Sequence, residues 1–192
     1  DVIFLARHGK GHRVLPHEVN SQANIAGFKH LGVQSVIAFS AVGSLREELK
    51  PLDFVVPDQL IDRTRARPST FFGKGVAGHV SFADPYCARL QDVVKQSAGD
   101  LALTMHEGET LVCIDGPTFS TRAESLLYRS WGCGLVNMSA LPEARLAREA
   151  GICYALICMV TDYDCWRSTT DDVEIGAILD NLRKNADNAG KL

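Results

Sequence analysis

Two carboxylates, Asp162 and Asp164, stand at i, i+2 immediately beyond the apolar run Tyr154 to Val160, within Thr161-Asp162-Tyr163-Asp164-Cys165-Trp166. Charge placed against a buried strand is unfavourable unless something compensates it. In open α/β sheets, ligands bind in the crevice beyond the carboxyl ends of the strands, so this pair is positioned to meet a ligand carrying N–H donors. Other strand-like segments end in turns of a different chemistry: Arg7-His8-Gly9, Ser40-Ala41-Val42-Gly43-Ser44, Asp115-Gly116-Pro117 and Asn137-Met138-Ser139. The planar fork of Arg suits a phosphate, and hydroxyls, His and free backbone N–H groups can satisfy its remaining oxygens. If the strands are parallel, these turns converge, with an oxyanion cradle at one end of a crevice and two acids at the other.

The elements that must position these groups alternate in type, the pattern of α/β units around a mostly parallel or mixed twisted sheet. Strands are expected over Val2 to Ala6, Ser35 to Phe39, Phe54 to Val56, Leu111 to Ile114, Leu135 to Val136 and Tyr154 to Val160. Helices are expected at about residues 20–31, 85–98, 121–131, 142–150 and 171–189, several closed by a glycine suited to a left-handed C-cap (Gly32, Gly99, Gly132, Gly151). Thr121 and Glu124 have capping-box spacing, which gives them a structural task. The segment Arg63 to Ser81, rich in Arg, Gly, Pro and Phe, reads as a long irregular loop of functional or interfacial use.

The 192 residues fit one α/β domain with a substantial core. With 46% hydrophobic and 22% charged residues and a net charge of -3, nothing favours a nucleic-acid partner. No apolar run approaches the roughly 20 residues of a membrane span, and the opening residues do not form a signal peptide. A cytoplasmic protein with small-molecule ligands is expected. The six cysteines lack C-x-x-C spacing and mostly sit in apolar segments, so small core residues in a reducing compartment are favoured over disulfides or zinc. The chain opens on Asp1 and runs straight into a strand-like stretch, which suggests a piece of a longer protein.

Each local signal has a plain alternative. His8 and His12 stand i, i+4, yet Lys10 and the flanking glycines argue for a loop and against a metal site. Arg7-His8-Gly9 is also similar to the strand-end motif of histidine phosphatases, which need a second catalytic His late in the chain; the last histidine here is His106. Ser40 and Ser44 suit turns, and Met138 suits core filling.

Together the blocks are more specific. Leu5-Ala6-Arg7-His8-Gly9, Asn20-x-Gln22-Ala23-Asn24, Ser44-Leu45-Arg46-Glu47-Glu48, Asp58-Gln59-x-Ile61-Asp62-Arg63-Thr64, Gly116-Pro117-x-Phe119-Ser120-Thr121-Arg122-Ala123-Glu124-Ser125, Asn137-Met138-Ser139 with Pro142-Glu143, and Thr161 to Trp166 resemble the trimeric purine nucleoside phosphorylase family, in its branch acting on S-methyl-5'-thioadenosine. The resemblance runs over nearly the whole chain, residues 1–192, and lacks the family's N-terminal phosphate loop and a C-terminal segment. It implies phosphorolysis of methylthioadenosine to adenine and 5-methylthioribose 1-phosphate, a step of methionine and purine salvage. It also implies a homotrimer in the cytoplasm, extending to the nucleus, with no metal or other cofactor and with inorganic phosphate as co-substrate.

By motif match, Arg7, His8, Ser40, the backbone of Ala41 and Ser139 would hold phosphate. Met138 would lie along the ribose, Phe119 against ribose or base, and Ile175, Ile178 and Leu179 would line the methylthio site. His79 is similar to a loop residue that reaches a neighbouring subunit's 5' pocket. Asp162 would face N7 and the 6-amino group, with Asp164 beside it. Chemistry supports that assignment independently: a 6-amino group donates and wants a carboxylate, whereas a 6-oxo group accepts and wants an amide. The 6-oxopurine phosphorylases carry Asn near this place and Glu where this chain has Ser120. Protonating a departing adenine at N7 makes Asp162 a general acid, which requires a raised pKa, and the charge of Asp164 is expected to help. The alternatives are a 6-oxopurine nucleoside phosphorylase and a catalytically silent nucleoside-binding or assembly subunit.

Overall fold

The computed structural model describes residues 2–167 and 175–192. After a 3-10 turn at Pro16–Glu18, the elements are α1 (Ser21–His30), β1 (Ser35–Ser44), β2 (Phe54–Arg63), α2 (Ala88–Asp100), β3 (Met105–Ile114), α3 (Arg122–Ser130), β4 (Cys133–Asn137), α4 (Glu143–Glu149), β5 (Cys153–Asp162) and α5 (Ile175–Ala189). The five strands close into a barrel in the order β1-β4-β3-β2-β5, with helices outside. Three pairings are parallel (β1 with β5, β2 with β3, β3 with β4), and the two seams, β1 with β4 and β2 with β5, are antiparallel.

Continuous apolar runs become strands buried on both faces, as expected where a sheet is covered inside and out. In β5 every residue from Tyr154 to Thr161 is buried. The main core joins Val42, Val55, Leu111, Leu135, Leu156 and Val160 to Ile25 of α1 and to Ala144, Leu146 and Ala147 of α4. Helix α3 begins at the expected box: Thr121 Oγ1 accepts from the Glu124 amide, and the Glu124 carboxylate accepts from the Thr121 amide at 2.8 Å. Thr121→Ala is expected to lower stability by about 1 kcal/mol, read as an earlier urea midpoint at unchanged slope.

Two expectations need correction. Val2 to Ala6 forms no strand: Val2 and Phe4 are 79% and 92% exposed, because the described strands close on one another and leave no edge to receive a sixth. The sheet itself is mixed and mostly parallel, as expected. Convergence comes from the antiparallel seam, where Gly43 pairs with Val136 and the end of β4 runs back along β1. Finally, Cys87 at the start of α2 is disulfide-bonded to Cys153 at the start of β5, their Cα atoms 5.5 Å apart. The free cysteines follow the core reading more closely, Cys113, Cys133 and Cys158 being buried and Cys165 half-buried. Of the expected last helix, residues 171–174 lie outside the described residues.

Candidate active site

Arg7 follows the exposed N-terminal stretch but turns inward. One Nη donates to the Phe39 carbonyl at 2.7 Å and to Ser139 Oγ at 3.2 Å, and the other pairs with Glu143 Oε1 at 3.3 Å. Ser139 Oγ lies 3.1 Å from Ser40 Oγ, which accepts from Asn137 Nδ2 at 3.0 Å. The same Glu143 oxygen accepts from the Tyr154 hydroxyl at 2.8 Å. Arg7, Ser40 and Ser139 are thus brought together by the β1/β4 seam and the start of α4. The adjoining Ala41 is exposed, and its carbonyl accepts from Ser40 Oγ.

His8 sits beside this cluster. Its Nδ1 lies 2.9 Å from the Val14 carbonyl, so Nδ1 carries hydrogen and the neutral ring offers a lone pair at Nε2. Burial, followed by the positive charge of Arg7, outweighs the Val14 contact and lowers its pKa, so neutral His8 can accept a hydrogen bond from a phosphate hydroxyl. His12 stacks on it at 4.4 Å between ring centroids. Among the described residues, no group of three His, Cys, Asp or Glu side chains could hold a metal ion.

The acids stand farther along the same pair of strands. Ser40 is in register with Cys158 and Gly43 with Asp162, a separation of three residues on β1, or about 10 Å at ~3.3 Å per residue. Asp162 Oδ1 accepts from the Asp164 amide at 2.7 Å, and Oδ2 is 2.7 Å from Thr161 Oγ1. Burial raises the Asp162 pKa against these two hydrogen bonds. Asp164 therefore helps less simply than expected, since its amide stabilises the anionic form of Asp162. The Asp164 carboxyl is itself raised, first by burial and further by the charge of Asp162, and its buried Oδ2 has no hydrogen-bond partner among the described residues.

The remaining site residues surround the acids unevenly. Met138 is half-buried, its sulfur so close over Gly116 that a Cβ there would collide with it. Ser120 is half-buried, and its carbonyl accepts from the Cys165 thiol at 3.1 Å, tying it to the aspartate segment. Phe119 is half-exposed, His79 stands exposed on the long loop, and Leu179 faces outward from α5. Ile178 is half-buried on α5, and the side chain of Ile175 lies outside the described residues.

Sequence reasoning gave no role to several residues that shape the site. Glu143 and Tyr154 fix Arg7. Arg67, in the long loop, donates to the carbonyls of Met138 at 2.8 Å, Leu141 at 2.7 Å and Asp115 at 2.7 Å, gathering the ends of β3 and β4. Asn181 and Asn185 of α5 grip the end of β5. Tyr154 carried a readable signal, because a phenol inside an apolar run needs a hydrogen-bond partner.

The family model of the phosphorylase superfamily matches residues 1–192. The S-methyl-5'-thioadenosine phosphorylases of Sclerotinia sclerotiorum and Neurospora crassa are each 55% identical to this chain over all of its length, and the chain spans 63% of theirs. A crystal structure of methylthioadenosine phosphorylase from an antarctic soil metagenomic library superposes with a TM-score of 0.94 at 50% identity, covering 98% of this chain and 67% of that one. A mutant adenosine/methylthioadenosine phosphorylase from Schistosoma mansoni, in complex with adenine, gives 0.92 at 39% identity, covering 96% of this chain and 73% of that one.

Proposed function

The chain belongs to the phosphorylase superfamily, and from that premise we propose that its protein is a pentosyltransferase that phosphorolyses S-methyl-5'-thioadenosine to adenine and 5-methylthioribose 1-phosphate. The observation that carries this reading is the spacing of two unlike sites on β1 and β5. Arg7, Ser40 and Ser139 form a hydroxyl-lined cradle around a guanidinium, and the acids lie about 10 Å along the strands, a separation suited to a nucleoside and its attacking anion. Phosphate held at the cradle attacks C1', the glycosidic bond breaks with oxocarbenium character, and Asp162 gives a proton to N7 of the departing adenine. An acid at residue 162 suits the 6-amino group, and the raised pKa keeps a larger share of that acid protonated.

The chemistry asks for no metal or other cofactor beyond phosphate as co-substrate. A homotrimer is part of the same proposal, with His79 reaching a neighbour and Ile175, Ile178 and Leu179 serving the 5' group. A cytoplasmic location, extending to the nucleus, completes it.

The test is phosphate-dependent release of adenine from methylthioadenosine by the full-length protein, with inosine as competitor. Adenine release that depends on phosphate and exceeds inosine cleavage is expected. Faster cleavage of inosine would replace the reading with a 6-oxopurine phosphorylase, and nucleoside binding without turnover would replace it with a silent subunit.

A further inference from the structure

Strand β5 does not run regularly into the aspartates. Val42 of β1 is in register with Val160, but the next residue, Gly43, is in register with Asp162, so Thr161 is an inserted residue in a β-bulge. A one-residue insertion sends every later side chain to the opposite face, and here it decides which way Asp162 points. Gly43 makes the room: a Cβ there would lie 3.2 Å from Asp164 Cβ and 3.3 Å from Asp162 Oδ1.

Thr161 is nevertheless held firmly. It is 3% exposed, and its carbonyl accepts from Asn181 Nδ2 at 2.8 Å. One turn along α5, Asn185 Nδ2 donates to the Val160 carbonyl at 2.9 Å. The two asparagines stand i, i+4 on the inner face of α5, so the helix grips the bulge at two adjacent carbonyls.

The Thr161 hydroxyl has two acceptors within reach: Asp162 Oδ2 at 2.7 Å and the Val42 carbonyl at 3.2 Å. One hydroxyl carries one hydrogen. With Asp162 ionised, that hydrogen goes to Oδ2. With a proton on Oδ2, the carboxylic acid can donate to Thr161 Oγ1 while Thr161 turns to Val42, so the carboxyl is held in both states. Asp162 Oδ1 accepts from the Asp164 amide in either state, which fixes the carboxyl plane.

We propose that Thr161, pinned in its bulge by Asn181, is a positioning residue that keeps the Asp162 carboxyl in place for proton transfer in both of its protonation states. The proposal rests on the reading of Asp162 as general acid. In the transfer the Asp162 O–H bond breaks and N7 takes the proton. The electrons of the glycosidic C–N bond leave with adenine, and a phosphate oxygen bonds to C1'. Asp162 ends as a carboxylate, and the Thr161 hydrogen turns from Val42 to Oδ2.

The test compares Thr161→Val, Thr161→Ser and Asn181→Leu in the full-length protein, by single-turnover release of adenine from methylthioadenosine. Thr161→Val is expected to slow release by about 10- to 100-fold, the scale of a misplaced reacting group, with unchanged KM for phosphate and nucleoside. Thr161→Ser should restore most of the rate, and Asn181→Leu should fall between them. In infrared difference spectra, the protonated-carboxyl band that Asp162→Asn abolishes should shift in Thr161→Val and stay in place in Thr161→Ser. An active unaltered enzyme with an unaffected Thr161→Val rate, equal losses in the Val and Ser variants, or an unmoved band overturns the proposal alone. An unaltered protein that releases no adenine overturns the general-acid reading and the proposal with it.

Discussion

Asp162→Asn is expected to slow adenine release by about 100- to 10,000-fold, the range typical of a lost general acid, while KM for phosphate stays near its original value. The substitution is geometrically mild. An Asn side chain can accept from the Asp164 amide at Oδ1 and donate to Thr161 Oγ1 from Nδ2, reproducing the hydrogen bonds of the protonated acid. What it lacks is a proton to give. A near-normal single-turnover rate in this variant would remove Asp162 from the chemistry.

The same variant has an expected stability effect of opposite sign. The Asp162 pKa is raised in the folded protein, first by burial, so between its unfolded value near 3.9 and its folded value the native state binds more protons than the unfolded state. The contribution of a raised acid is fully present below the unfolded pKa and is lost as pH rises through the folded one. Asp162→Asn should therefore melt at a higher temperature than the unaltered protein at neutral pH, with the difference closing as pH falls below about 4. Function here is maintained against stability, as is common where a buried acid must be kept ready.

How far the sequence could be read depended on whether a feature was local. Five strands and five helices were legible from apolar periodicity and glycine stops, and the cap at Thr121 and Glu124 needed only four residues. The same pattern over-read Val2 to Ala6, because periodicity reports a side chain's fitness for a strand and says nothing about whether an edge is free. Closure of the barrel depends on which strands pair, so the antiparallel seam that brings Ser139 to Ser40 could not be seen in advance. The bulge at Thr161 is equally invisible along the chain, since it exists only as a register against β1. The acids were recognisable because charge beside a buried run is rare. Asn181 and Asn185, which hold the Thr161 and Val160 carbonyls beside them, were not, since an amide on an amphipathic helix looks the same whether it faces water or a strand.

The network around Arg7 gives the second large effect. Its guanidinium and the Glu143 carboxylate are 13% and 7% exposed, so removing either one leaves the other charge poorly solvated. Arg7→Met and Glu143→Leu are each expected to lower stability by about 3 kcal/mol or more, measured by urea unfolding, because breaking a buried pair is far worse than never having it. The double variant should recover much of that loss, with Tyr154→Phe added to remove the hydroxyl otherwise left without its acceptor. Stability and function then separate. The stabilised triple variant should still show a KM for phosphate raised by at least about 10-fold, since one charge-assisted contact is worth roughly 1.5–3 kcal/mol. Arg7→Lys keeps the charge but lacks the fork that reaches Phe39, Ser139 and Glu143 together, so it should also raise KM for phosphate while leaving KM for the nucleoside unchanged. A triple variant that folds well and binds phosphate normally would show that Arg7 serves the fold alone, and the cradle would then have to be sought elsewhere in the family's longer chain.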